Sequence, residues 1–306
     1  MAAPAEVAAT AASPPKGALD EAMERAHKTA YRTDSYSDHA TFEFVAVWDH
    51  ILPTTCRHSA ESPIDSPIEE DGSPCSICLF EKELSALPQL PEMIFPRNEL
   101  CVRWRGHPGA SLTFRALDAL KGVDTTSLPG IQVAPSAVWQ ESRSHMGEFR
   151  QFSRPFDWTY TTPYAGTPEG LHAEDTTDTV DLERLKRQEP ILFYAQVPLY
   201  EDELADHGAA QVNARIRVMP SSFFLLQRFY LRVDNVLTRV CDTRVFAERG
   251  SNSVLVEWTF REAPASALAS LPHDVALDPN QVWQHLPVTQ QRSTRYTPIT
   301  NSSTPS

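Results

Sequence analysis

Glycine is scarce in this 306-residue chain: 11 residues, against 25 prolines. Ordinary usage runs the other way. Phosphate-cradling loops need glycine for close backbone approach, and no Gly-rich phosphate loop or dinucleotide fingerprint is present. H-E-x-x-H and the nucleophile elbow are missing as well. No 18 apolar residues run together, which argues against a membrane-spanning helix. The first residues lack a basic segment followed by an apolar core, so no secretory signal is expected. Five cysteines form an odd set without framework spacing, as in reduced cytoplasmic proteins, with the nucleus a second compartment. Basic residues are also short. Lys and Arg number 27 against 40 Asp and Glu, a net charge of −13. Such a chain is neither a general nucleic-acid binder nor suited to an anionic membrane surface.

The prolines mark biased segments. Residues 1–40 are rich in Ala, Pro, Ser and charge, and the helical spacing within 17–32 presents mostly Ala; they read as a disordered arm. Residues 58–78 hold three Ser-Pro pairs, at Ser62, Ser66 and Ser73, and carry Glu61, Asp65, Glu69, Glu70 and Asp71 with no Lys or Arg. They read as a disordered acidic insert, because so little apolar area cannot offset the entropy of ordering. Residues 289–306 read as a disordered tail of Gln, Ser, Thr, Arg and Pro. Removing all three leaves about 227 residues, enough for one domain with a full core, spanning 41–288.

Within that domain, alternation is the clearest signal. Residues 215–218 alternate Arg with Ile and Val. Phe229, Leu231 and Val233 fall on one strand face, with Tyr230 and Arg232 on the other. Asp234-Asn235 suits a two-residue hairpin turn before a returning strand at 236–240. Residues 253–261 alternate again, with Val254, Val256, Trp258 and Phe260 together. Short helices are expected at 80–87, 117–121, 181–189, 265–271 and 281–286. Clustered strands and scattered helices predict an α+β fold, mainly antiparallel sheet flanked by short helices.

Candidate chemistry is sparse, and no cofactor is expected. Cys75 and Cys78 form a C-x-x-C with Cys56 and His58 upstream, a set compatible with a zinc-stabilised interaction module. The preferred reading is exposed thiols in an unfolded segment. Glu201, Asp202, Glu203, Asp206 and His207 precede Gly208, and Asp202, Asp206 and His207 suggest a metal-dependent hydrolase as an alternative. The preferred reading there is a solvated turn. The basic strands are more informative. Residues 209–247 hold six Arg (215, 217, 228, 232, 239, 244) and two acids, Asp234 and Asp242, a +4 block inside a −13 chain. Such a block suits an acidic partner or a terminal carboxylate.

Several motifs resemble one family, the TOR signalling pathway regulator-like (TIPRL) family. They include residues 90–95, 139–143 and 156–162, then Tyr164, Gly166-Thr167, residues 201–204 and Asp206-His207-Gly208. The longest is 216–226, with Met219-Pro220-Ser221-Ser222 at its centre, continuing through Arg228-Phe229, Leu231-Arg232, Val236-Leu237 and Asp242-Thr243-Arg244. Asp278-Pro279-Asn280 and Leu286-Pro287 extend it, so the resemblance spans about 90–288, with a weaker match near Trp48. It implies a non-enzymatic cytosolic protein that binds catalytic subunits of type 2A-family Ser/Thr phosphatases. It also implies a link to TOR signalling and to an alpha4/Tap42-type protein, and a cleft for the phosphatase's C-terminal tail. It further implies partner contacts at Asp118, Val180, Val240 and Asp242. Family members carry longer Ile and Met where Val180 and Val240 stand. Arg217, Arg228 and Arg232 are the expected partners of the tail's carboxylate.

Overall fold

The computed structural model describes residues 31–53, 55–56, 75–87, 89–125, 132–133, 152–153 and 158–299. The expectation of a mainly antiparallel α+β fold holds. Five strands form one sheet in the order β1 (Arg32–Tyr36), β2 (Phe42–Trp48), β4 (Glu99–Trp104), β5 (Ser111–Arg115), β8 (Thr167–Glu169). Eight form the second in the order β3 (Met93–Ile94), β10 (Phe193–Asp202), β11 (Gly208–Val218), β12 (Ser222–Val233), β13 (Leu237–Glu248), β14 (Val254–Pro264), β15 (Val288–Pro298), β9 (Leu171–Thr176). A two-stranded piece pairs β6 (Gln132–Val133) with β7 (Phe152–Ser153). The helices are short: α1 (Ser76–Glu83), α2 (Ala116–Lys121), α3 (Ala265–Leu268), α4 (His273–Leu277) and α5 (Pro279–Val282).

The core lies between the two large sheets. Phe42, Phe44, Leu100, Val102, Leu112 and Phe114 of the smaller sheet join one cluster with Val197, Val212, Phe223, Leu225, Phe229 and Val245 of the larger. Phe42 and Phe44 meet Phe223 edge-on, with centroids 5.1 and 4.9 Å apart, the geometry that aromatic quadrupoles favour. The Trp48 indole N–H donates to Gln196 O across the sheets at 2.7 Å. The alternation read at 229–233 and 254–260 is the alternation observed. Phe229, Leu231 and Val233 are buried in this cluster, together with Val254, Val256 and Trp258.

The hairpin falls at the predicted place, but its loop has three residues rather than two: Val233 pairs with Leu237, and Asn235 within the loop has φ 60. Asn tolerates that conformation because its short polar side chain bonds locally. Of the helices, α2 matches the expectation closely. The 181–189 stretch forms only a 3-10 turn, Arg184–Lys186, because no apolar stripe there is buried against the body.

Two composition-based boundaries need correcting. Residues 288–298 were expected to be largely tail, yet they form β15, paired with β14 on one side and β9 on the other. Its polar side chains are tolerated because backbone pairing holds it between two neighbours. Residues 32–36 of the expected arm likewise form β1, an edge strand on β2. Residues 1–30 of the arm, 58–74 of the insert and 300–306 of the tail lie outside the described residues. The insert's last four residues are described: Cys75 is buried, and residues 76–78 open α1.

Candidate functional site

The register of the large sheet sorts its arginines by face. Arg228 lies opposite Asp242 and Asn213, and Asp242 opposite Thr259. Two residues along each strand, Arg215, Leu226, Arg244 and Glu257 form the next row, and beyond them lie Tyr194, Arg217, Phe224 and Phe246. In the other direction come Gln211, Tyr230, Val240 and Arg261, then Ala209, Arg232 and Thr238. With a side-chain period of two, all of these occupy the face turned away from the core. Five of the six arginines in the basic block therefore share one face. The sixth, Arg239, sits on the opposite face, pairs with Glu262 and donates to Thr161 Oγ1 at 2.9 Å.

At the centre is a buried ionic ladder. Asp242 is 0% exposed, and Arg228 and Arg244 are 7% and 6% exposed. Arg228 grips Asp242 with both arms of its fork, Nε to Oδ1 and Nη2 to Oδ2, each at 2.7 Å. Arg244 reaches Asp242 Oδ2 at 3.4 Å and Glu257 Oε1 at 2.9 Å. Glu257 Oε2 accepts from the Val180 amide at 2.7 Å. Bidentate carboxylate pairing is what the planar guanidinium does well.

One wall is built by the segment after β14. Trp283 lies against three guanidinium carbons, those of Arg228, Arg244 and Arg261, at 5.4, 5.2 and 5.2 Å from the ring centroid, within cation–π range. Arg228 also donates to Pro279 O, and Arg261 to Leu286 O at 2.9 Å. Beneath them Tyr230, Val240, Ala263, Leu268, Val282 and Leu286 pack as a small separate cluster. Asp278 caps α5 by accepting from Asn280 N at 2.8 Å, which fixes where this wall begins. Those bonds, and that of Gln281 first among them, hold the Asp278 carboxyl below its ordinary range.

The charge on this face is not balanced. Arg215, Arg228, Arg244 and Arg261 stand with only Asp242 and Glu257 between them. Burial, then Arg228, pushes the Arg215 pKa down; burial, then Arg244, does so for Arg261. Among the described residues, neither Arg215 nor Arg217 has a carboxylate within ion-pair distance. Both are half-buried, and on the neighbouring strand β10, beyond its short pairing with β3, Tyr194 is 52% exposed. Chemically, the face offers unmatched guanidinium donors beside aromatic surface.

The structure thus brings most of the sequence-derived candidates together. Arg217, Arg228, Arg232, Val240 and Asp242 share this face, and Val180 abuts it through its amide. Several occupy positions the sequence did not suggest. Val240 and Asp242 are fully enclosed, and Val180 is 5% exposed. Arg232 is committed to Asp234 at 2.8 Å. Asp118 stands apart: on α2 it accepts from Thr167 Oγ1 at 2.6 Å, and its charge acts on Arg115 and Tyr164. Sequence reasoning passed over Arg215, Arg244, Arg261, Glu257 and Trp283 as site residues. The i, i+2 spacing of Arg215 with Arg217, and of Asp242 with Arg244, was the available signal; nothing local marked Trp283.

The acidic run at 201–207 is a turn. Asp202 is 4% exposed and accepts from the amides of Glu92 and Leu204, at 3.1 and 2.8 Å. Asp206 and His207 are exposed. Asp202, Asp206 and His207 do not converge into a ligand set, which removes the basis for the hydrolase reading. Gly208 is required because a Cβ there would lie 2.0 Å from Arg232 O. Among the described residues, no helix is long and apolar enough to cross a membrane.

Comparison with known proteins gives the same region weight. Residues 93–269 match the TIP41-like family. A TIP41-like protein of Caenorhabditis elegans is 44% identical over 278 residues, which is 90% of this chain and 95% of that protein. A human TIP41-like protein is 44% identical over 206 residues, 66% of this chain and 75% of its own length. A relative from Saccharomyces cerevisiae, 37% identical over 239 residues (70% of this chain and 67% of its own), is named type 2A phosphatase activator TIP41.

Proposed function

The chain belongs to the TIP41-like family, and on that premise we propose that it is a non-catalytic regulator that binds the catalytic subunit of a type 2A-class Ser/Thr phosphatase. The yeast relative's name supports the phosphatase class. The observation that carries the binding mode is the surplus of guanidinium groups on one sheet face, with Arg215 and Arg217 unmatched by carboxylates among the described residues. A phosphatase C-terminal tail ends in a free carboxylate, and an arginine fork is its natural hydrogen-bond donor. Tyr194 and Phe224 flank Arg217 in register and supply apolar contact for the tail's side chains.

In this reading Arg217 meets the partner, while Arg228 and Asp242 hold the face rigid from beneath. Asp118 would serve a second contact on α2. Holding the catalytic subunit on this face alters its activity and its exchange with scaffold subunits or an alpha4/Tap42-type protein by mass action. We further propose that this role belongs to TOR-linked signalling in the cytoplasm.

The test is affinity of the full chain for a purified type 2A catalytic subunit, measured by calorimetry across salt concentrations. Arg217→Glu reverses a charge without disturbing an ion pair seen in the structure. It should weaken binding at least about tenfold, an effect of about 1.4 kcal/mol, and should flatten the salt dependence. A catalytic subunit lacking its last residues should bind wild type and Arg217→Glu alike. Equal affinity of wild type and Arg217→Glu for the intact subunit refutes the binding mode.

A further inference from the structure

Three sulfur atoms far from the arginine face in sequence come together. Cys75 is the N-cap of α1, and Cys78 lies three residues on, so both project to one side of the first turn. Cys56 lies just before the insert, four residues after Leu52, whose amide is tied to Ile94 O at 2.7 Å. The sulfurs of Cys56, Cys75 and Cys78 all lie within 4.8 Å of one another, with Cys56 and Cys78 at 3.6 Å. Tetrahedral zinc bonded to thiolates at about 2.3 Å has sulfur–sulfur edges of about 3.8 Å. The cluster is already at nearly that spacing.

Its surroundings fit a metal better than a packed core. Cys75 is buried and Cys78 half-buried, while Cys56 is exposed, so the cluster reaches from the protein body to solvent. The helix is well anchored beneath it. Phe80 and Leu84 enter the core, and Glu83 pairs with Lys121 at 2.6 Å. Backbone donors at a helix N-terminus favour thiolate.

We propose that Cys56, Cys75 and Cys78 form a thiolate site for zinc that fastens the two ends of the 57–74 segment to the body of the fold. Loading exchanges three thiol protons for one Zn²⁺: three S–H bonds break, three Zn–S bonds form, three protons leave, and the resulting centre carries one negative charge. Zinc takes a fourth donor, water in the simplest case. Nothing is oxidised or reduced. The site closes an 18-residue span between Cys56 and Cys75, a loop closure that metal-binding free energy can offset.

The experiment uses the full chain, purified under reducing conditions, with zinc measured by mass spectrometry and by competition with a chromophoric chelator. About one zinc per chain is expected. Cobalt(II) should produce tetrahedral ligand-field bands and thiolate-to-metal charge transfer. Cys56 is exposed, so Cys56→Ser should keep the wild-type circular dichroism and weaken zinc by at least about 10–100-fold, the loss that outer-shell changes alone can cause. A Cys101→Ser, Cys241→Ser double variant should retain the metal. The proposal is overturned if the reduced, zinc-equilibrated wild type holds none. Equal zinc affinity of wild type and Cys56→Ser overturns it too, as does a Cys56–Cys78 disulfide that persists in place of metal.

Discussion

Replacing Asp242 with Ala probes the ionic ladder directly. The carboxylate is fully enclosed and gripped by Arg228 at two points and Arg244 at one. Without it, the four guanidiniums of this row (Arg215, Arg228, Arg244, Arg261) keep only Glu257 between them, so the local balance moves from +2 to +3, with Arg228 and Arg244 only 7% and 6% exposed. Breaking a buried pair by removing one partner costs about 3–5 kcal/mol, and the neighbouring like charges place this case at the upper end. A domain has about 5–15 kcal/mol in total, so the variant should lose a large share of it. Urea unfolding followed by tryptophan fluorescence should show a lower midpoint with an unchanged slope. Asp242→Asn keeps the shape and one acceptor but removes the same charge, so its loss should approach that of Asp242→Ala, about 3 kcal/mol. Joint replacement by Arg228→Met and Asp242→Leu should recover most of the loss, because apolar groups of similar volume remove the uncompensated charge. A loss below about 1 kcal/mol for Asp242→Ala would refute the reasoning, as would strict additivity in the double variant. The same result bears on function: reduced partner binding by Asp242→Ala reflects a damaged scaffold, so Arg217 is the informative position.

Further predictions follow from individual contacts. Gly208→Ala drives a Cβ into Arg232 O and should destabilise by several kcal/mol, of order 4–5 as a steric outlier, read as the urea midpoint. Trp283→Ala uncovers Arg228, Arg244 and Arg261 and, from a half-buried position, should cost about 1–3 kcal/mol, while making Arg261 variants less damaging in a double-mutant cycle. His39 is 2% exposed, its Nδ1 accepts from the Phe42 amide at 3.3 Å, and burial, then Arg249 and Arg105, lowers its pKa. The folded state favours the neutral ring, so this contribution is whole above the ordinary value of about 6.5 and falls away as pH drops below it. Its slope cannot exceed about 1.4 kcal/mol per pH unit, and His39→Asn, which keeps an acceptor, should abolish that slope in unfolding measured between pH 7 and 5. Burial raises the thiols of Cys101 and Cys241; both should resist alkylation in the native protein and react only after unfolding.

Much of the fold was legible because strand periodicity is local. Phe229 and Leu231 alternate with Tyr230 and Arg232 whether or not β13 is known, and Asp234-Asn235 marks the turn locally, though the loop takes in Val236 as well. Composition misled where pairing decides. Residues 288–298 look like tail because their side chains are polar, but β15 is held by backbone bonds to β14 and β9. At 201–207 the acids suggested a ligand set; a tight turn instead spends Asp202 on two amides and turns Asp206 and His207 to solvent.

The sequence by itself determined the class of fold, the basic strand block and the family motifs, since each is written in spacing and residue type along one segment. Only the tertiary structure decided which arginines share a face, that Asp242 and Val240 are enclosed, that Trp283 covers three guanidiniums, and that Cys56 meets Cys75 and Cys78. Those facts depend on register between strands and on contacts between distant segments. A one-residue change of register reverses every face, and no local pattern encodes it.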